Sequence, residues 1–114
     1  MRRFIGVLAA MAMVVGFAAS AAAQDKAKID QGAKLYDAQK CSICHSVAGK
    51  GNAKGPLEGV GQKYSAADLK MWLTMPKMME EKIKATRKPA MKSYASLKAD
   101  EVDAIVVYLQ SLKK

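Results

Sequence analysis

The sequence predicts a small all-α domain with helices at both ends and one in the middle. Near each end, apolar residues repeat at the i, i+3, i+4, i+7 spacing of one helix face. The first set is Ile29, Gly32, Ala33 and Tyr36, and the second is Val102, Ile105, Val106 and Leu109. No stretch sustains the period-two alternation of a half-buried strand, so we expect essentially no sheet.

The middle helix is predicted from its first residues and its apolar stripe. Ser65 and Asp68 form an opening like a capping box, with Asp in place of the usual Glu. The stripe that follows is Leu69, Trp72, Leu73 and Pro76. Since proline lacks an N–H and clashes within a helix, Pro76 is expected to end it.

The last helix has acidic residues in its first turn and lysines beyond its last, which suits the helix dipole. Lys98 stands where Ser, Thr or Asp would cap it, which makes Ser96 the alternative start. Six glycines and prolines lie between Cys44 and Ser65 and predict an ordered loop there.

The N-terminus has the pattern of a secretory signal peptide. Arg2 and Arg3 form a basic start, residues 4–19 are apolar and uncharged, and residues 20–23 are small. We therefore expect cleavage after Ala23 and a mature domain of residues 24–114 in the periplasm. The alternative is an uncleaved membrane anchor, since a bilayer-spanning helix needs about 20 apolar residues.

The mature chain is small and basic. Removing Arg2 and Arg3 leaves 17 basic against 10 acidic residues, a net charge of +7 on 91 residues. A chain of this size forms a modest core and commonly needs a disulfide or a bound group to stabilise it. A bridge between Cys41 and Cys44 would close only a very short loop and constrain little of the unfolded chain.

Cys41, Cys44 and His45 carry the chemistry of this sequence. Their C-x-x-C-H spacing is that of a c-type haem attachment site. Two thiols three residues apart on a helical turn can reach both vinyl groups at one porphyrin edge, and the adjacent imidazole then meets the iron. The chain holds two cysteines and one histidine, all in this motif. We therefore expect one covalent haem c, with His45 as an iron ligand.

Other uses of a C-x-x-C pair fit this sequence less well. A thioredoxin-like redox pair lies near a βαβ pattern, which this sequence lacks. A structural zinc site needs four ligands, usually Cys or His, and the chain supplies three. An incidental pair of buried thiols would not need export.

Met91 is the candidate for the second axial ligand. Most methionines fill gaps in a core, and Met75 flanks the stripe of the middle helix closely enough to pack there. Met91 instead follows Pro89 in a stretch without helical period, and the proline stiffens that loop. Met75 and Met79 are the alternative ligands. A haem bound between His45 and Met91 requires an apolar slot there.

Over nearly the full mature length, the sequence resembles the class I cytochrome c family of small bacterial monohaem proteins. The residues that carry the resemblance are Gly32, Tyr36, Cys41–His45, Gly55-Pro56-Leu57, Trp72-Leu73, Pro76-Lys77, Pro89-Ala90-Met91 and Tyr108-Leu109. The chain departs from the family in two places. The Gly55–Gly59 segment is one residue shorter than the usual Gly-Pro-x-Leu-x-Gly, and residues 76–91 form a longer, lysine-rich stretch.

The resemblance implies a cytochrome c fold, with terminal helices crossing at Gly32 and a middle helix around one haem. It implies that the Pro56 carbonyl accepts a hydrogen bond from His45 Nδ1, which leaves Nε2 for the iron. It also implies that Met91 is the axial methionine and that Tyr36 packs near the helix crossing. Candidates to line the apolar haem pocket are Leu35, Leu57, Trp72, Leu73 and Ile105.

These features predict a one-electron carrier and not an enzyme, because protein atoms fill both axial positions of the iron. The alternative is a haem sensor or catalytic subunit in which Met91 does not bind and the sixth site stays open. The net charge predicts steering towards redox partner proteins with acidic docking surfaces. Lysines expected around the haem edge are Lys40, Lys50, Lys54, Lys88 and Lys92. We expect a monomer with no membrane span after cleavage and no nucleic-acid partner.

Overall fold

The structure is a computed structural model and describes residues 25–113. The predicted signal peptide, residues 1–23, lies outside the described residues. In chain order the elements are helix α1 (25–38 among the described residues), a 3₁₀ turn (Cys41–Ile43), strands β1 (Ser46–Val47) and β2 (Lys50–Gly51), and helices α2 (Val60–Lys63), α3 (Ala66–Thr74), α4 (Pro76–Ile83) and α5 (Ala99–Gln110). The all-α prediction is confirmed. No helix within the described range is long and apolar enough to cross a membrane.

Helices α1 and α5 cross at Gly32, as the family resemblance implies. Gly32 is buried, and a Cβ on it would collide with the carbonyl oxygen of Ala104 and the Cβ of Tyr108. The absence of a side chain therefore permits the close approach of the two helices. Tyr36, one turn later, packs its ring against that of Tyr108, with a centroid distance of 5.6 Å and an interplanar angle of 59°.

The hydrophobic core lies between α3 and α5. Its buried residues are Leu69, Leu73, Val102, Ile105, Val106 and Leu109. At the start of α3, the Ser65 hydroxyl accepts a hydrogen bond from the Asp68 N–H at 3.2 Å, so the predicted cap is confirmed. Trp72 is half-buried and meets the Tyr64 ring edge-on at 6.2 Å.

Pro76 ends α3 as predicted, and it also begins a helix that the sequence did not predict. The first position of a helix tolerates proline, because an N–H there has no partner within the helix. Met79 on α4 is only 1% exposed, whereas Met75 between the two helices is 47% exposed. Met75, which could have packed beside the stripe of α3, is therefore exposed, and Met79 is the methionine that packs in the core.

Lys98 precedes α5, and the alternative start at Ser96 is wrong. The Lys98 N–H donates to the Glu101 carboxylate at 3.1 Å. This is one half of a capping box, so an acidic side chain in the first turn satisfies the helix start in place of a capping serine.

A short hairpin departs from the expectation of essentially no sheet. Strands β1 and β2 pair antiparallel, with Ser46 opposite Gly51 and Val47 opposite Lys50. Ala48 and Gly49 form the turn with φ values of 52° and 80°, the left-handed conformation that two-residue hairpin turns favour. Each strand has only two residues, too few to produce a visible alternation in the sequence.

Candidate functional site

The Cys41–His45 segment forms a tight turn just after α1. Lys40 adopts a left-handed φ of 57°, which redirects the chain into the 3₁₀ turn. The N–H groups of Cys44 and His45 both donate to the Cys41 carbonyl, at 3.1 and 2.9 Å. Cys41 and Cys44 are free thiols and half-buried. Both are therefore available for attachment to a group that packs against this turn.

His45 is oriented by a backbone carbonyl. Its Nδ1 lies 3.1 Å from the carbonyl oxygen of Gly55. Because a carbonyl only accepts hydrogen bonds, Nδ1 carries the proton and Nε2 keeps its lone pair for a metal. The acceptor predicted from the family resemblance was Pro56, and this is wrong by one residue. The Gly55 carbonyl also accepts from the Ser46 N–H at 3.0 Å, which holds it beside the residue that follows His45.

Burial lowers the pKa of the His45 imidazole below its ordinary range. The Gly55 carbonyl acts in the opposite direction, and the positive charge of Arg87 adds to the lowering. The net effect is a lowered pKa, and the neutral form of an imidazole is the one that binds iron. The surroundings of His45 therefore favour the protonation state that a ligand needs.

Asn52 holds the histidine-bearing turn against the hairpin. Its N–H lies within bonding distance of the carbonyls of Ser42 and His45, at 3.1 and 3.0 Å. Its side-chain amide donates to the Ile43 carbonyl at 3.1 Å. Nothing in the sequence pattern singled out Asn52, because its role depends on carbonyls brought together by the hairpin.

Tyr94 and Lys92 lie next to Cys41, and the sequence did not predict a role for Tyr94. Burial raises the pKa of the Cys41 thiol, while the Tyr94 hydroxyl and the Lys92 charge lower it. Burial also raises the pKa of Tyr94. The Tyr94 N–H donates to the Leu73 carbonyl at 2.7 Å, which anchors this segment to α3.

Met91 is half-buried, packs against the core and lines a cleft of about 650 Å³. The cleft has a size typical of ligand pockets, which span about 300–1,000 Å³. Half of its lining is apolar (Met75, Pro76, Met78, Ala90 and Met91), and half is polar or charged (Thr74, Lys77, Glu80, Lys88 and Ser93). His45, Cys41 and Cys44 do not line it, so this cleft is not the slot expected between His45 and Met91. Met79 faces the interior and is absent from this lining.

The other residues predicted to line the haem pocket lie in the hydrophobic core or at its edge. Leu73 and Ile105 are buried core residues, while Leu35 and Leu57 pack against the core from outside. The Trp72 indole N–H is buried and has no hydrogen-bond partner among residues 25–113. A buried donor normally has an acceptor, and haem carries two carboxylates that can serve as one.

The donor set of this chain therefore fits a haem. Two thiols and an imidazole with a free Nε2 lie on one turn. Met91 supplies a thioether, and Trp72 supplies a buried donor. Within residues 25–113, no cluster of three or more His, Cys, Asp or Glu side chains offers a separate metal site.

Comparisons with known proteins agree with this chemistry. Cytochrome c oxidase subunit 2 of Alkalihalophilus pseudofirmus is 25% identical over 111 aligned residues. The alignment covers 90% of this chain but only 31% of that relative, so the chain spans about a third of its length. No solved structure matches the chain significantly. The family model for cytochrome c matches residues 29–113. The chain therefore belongs to the class I cytochrome c family and is a haem-binding electron-transfer protein with covalently bound haem c.

Proposed function

We propose that this protein is a periplasmic monohaem cytochrome that carries one electron at a time between redox partner proteins. His45 and Met91 are the axial ligands of the iron in this proposal, and Cys41 and Cys44 hold the haem covalently. The observation that carries it is the 3.1 Å contact between His45 Nδ1 and the Gly55 carbonyl, which leaves Nε2 free for iron.

The chain's own residues account for each requirement of a carrier. Haem, when bound, supplies a one-electron couple between ferric and ferrous iron. The two thiols prevent its loss, and Gly55 keeps His45 in the tautomer that binds iron. Met91 would favour a raised reduction potential, since a methionine opposite histidine acts in that direction. Trp72 contributes a buried donor.

A carrier role, and not catalysis, follows from that ligation. With His45 and Met91 both bound, neither face of the iron is open to a substrate. The chain resembles part of an oxidase subunit. Likeness to a piece of a larger redox assembly supports electron exchange with other proteins as the role.

Acidic docking partners are proposed from the charge. The mature chain has a net charge of +7. Five lysines near the haem-bearing segments are exposed: Lys40, Lys50, Lys54, Lys88 and Lys92. Exposed charges act over about 10 Å at 0.1 M salt, so they steer partners at low ionic strength. A monomer suits a carrier that exchanges partners.

The test is carbon monoxide binding by the reduced, purified mature protein, together with its cellular location. We expect the haem protein in the periplasmic fraction, with a mass that corresponds to residues 24–114 plus one haem. We also expect no spectral change when carbon monoxide is added. Rapid carbon monoxide binding would instead support the sensor or catalytic alternative with an open sixth site.

A further inference from the structure

Arg87 reaches from the segment before Met91 back to the histidine-bearing turn, 43 positions earlier in the chain. Its Nη2 donates to the carbonyl oxygen of Cys44 at 2.5 Å. Its Nη1 lies so close to Gly55 that a Cβ on that glycine would collide with it. One guanidinium therefore contacts the residue before His45 and the residue whose carbonyl orients His45.

This contact anchors one end of residues 86–92, the methionine loop. Within the part of the chain that the structure describes, the loop makes no backbone hydrogen bond to other residues. Residues 86–90 of the loop are exposed. Beyond its far end, the Tyr94 N–H donates to the Leu73 carbonyl at 2.7 Å. Arg87 therefore supplies the near anchor of a loop that has few other polar contacts.

The same contact brings a permanent positive charge beside the iron ligand. A guanidinium stays protonated at all ordinary pH values and presents several donors in a fixed plane. Ferric haem carries one more positive charge than ferrous haem. A nearby cation therefore destabilises the oxidised form relative to the reduced form.

We propose that Arg87 is a positioning residue of the haem site, which holds the methionine loop against the His45 turn and raises the reduction potential of the iron. The inference rests on the proposed function, because it takes His45 and Met91 as axial ligands. Gly55 permits this placement of Arg87, since only a residue without a side chain leaves room for the guanidinium.

Three variants of the full haem protein test this proposal. Arg87→Gln removes the charge and most of the donor geometry, while Arg87→Lys keeps the charge. Lys84→Gln is the matched control, because Lys84 is exposed in the same stretch and its side chain makes no hydrogen bond among the described residues. For each variant, the midpoint potential is measured first. The urea concentration at which the oxidised protein loses its methionine–iron charge-transfer band is measured next.

We expect Arg87→Gln to lower the midpoint potential more than Lys84→Gln does, by up to tenfold in the ferric–ferrous equilibrium, or about 59 mV. The charge-transfer band of Arg87→Gln should also disappear at a lower urea concentration than that of Lys84→Gln. Arg87→Lys should restore most of the potential and part of the urea resistance. Equal potentials, or equal urea midpoints, in Arg87→Gln and Lys84→Gln would overturn the proposal.

The same experiment tests the proposed function independently of the role of Arg87. A wild-type protein without the charge-transfer band would contradict ligation by Met91. The difference in potential between Arg87→Gln and Lys84→Gln would still decide whether the Arg87 charge acts on the iron.

Discussion

The His45 imidazole donates from Nδ1 to the Gly55 carbonyl across 3.1 Å, and this one contact leaves Nε2 as the ring nitrogen free to bind a metal. Gly55 is itself enclosed, because a Cβ on it would collide with the Cys44 carbonyl as well as with Arg87. The segment after the C-x-x-C-H motif thus sets the orientation of the imidazole that the motif supplies.

Gly55→Ala should therefore disturb the haem site more than a glycine change elsewhere in the same loop. Forcing a methyl group into a packed position typically costs about 1–3 kcal/mol. We expect a lower yield of haem protein and a lower melting temperature. Gly49→Ala is the control, because nothing lies within 4 Å of a Cβ there and only its left-handed φ of 80° opposes the change. Equal losses in the two variants would contradict the role of Gly55.

Much of the fold could be predicted from the sequence because its signals are local. Apolar spacing identified α1, α3 and α5, and the Ser65 cap placed the start of α3. Helix α4 was missed because Pro76 ends one helix and begins the next, which a local rule counts as a stop. In the site, the C-x-x-C-H motif could be predicted from the sequence, but the contacts that orient it could not. Arg87 could not be found, since its partner is 43 positions away.

The Tyr36 hydroxyl is buried without a hydrogen-bond partner among the described residues. Leaving such a group unpaired costs about 1–3 kcal/mol. Tyr36→Phe removes the hydroxyl and keeps the ring that packs on Tyr108. We therefore expect the variant to be at least as stable as wild type at neutral pH, as measured by urea unfolding. A clear loss of stability would show that the hydroxyl has a partner.

The same tyrosine predicts a pH dependence at high pH. Burial, with smaller effects from Cys41 and other neighbours, raises the pKa of Tyr36 to about 12 from an ordinary value of 10. The unfolded chain therefore releases this proton at a lower pH than the folded chain does. The stability that this pKa shift contributes is fully present below pH 10 and is lost as pH rises towards 12. Tyr36→Phe should lose less unfolding free energy than wild type between these values. Parallel pH curves for the two proteins would refute this assignment.

Ser65→Ala should destabilise the protein by about 1 kcal/mol, because it removes the acceptor for the Asp68 N–H at the start of α3. Ser96→Ala is a matched control: Ser96 is exposed and does not cap α5. Urea unfolding of both variants gives the comparison. If both lose the same stability, the cap contributes nothing specific.

The central claim is that His45 and Met91 bind opposite faces of the iron, and Met91→Ala tests it most directly. The measurement is the optical spectrum of the oxidised protein, with Met75→Ala as control because Met75 lines the same cleft and is 47% exposed. We expect the methionine–iron charge-transfer band in wild type and in Met75→Ala, and its loss in Met91→Ala. A band that persists in Met91→Ala, or is absent from wild type, would contradict the account.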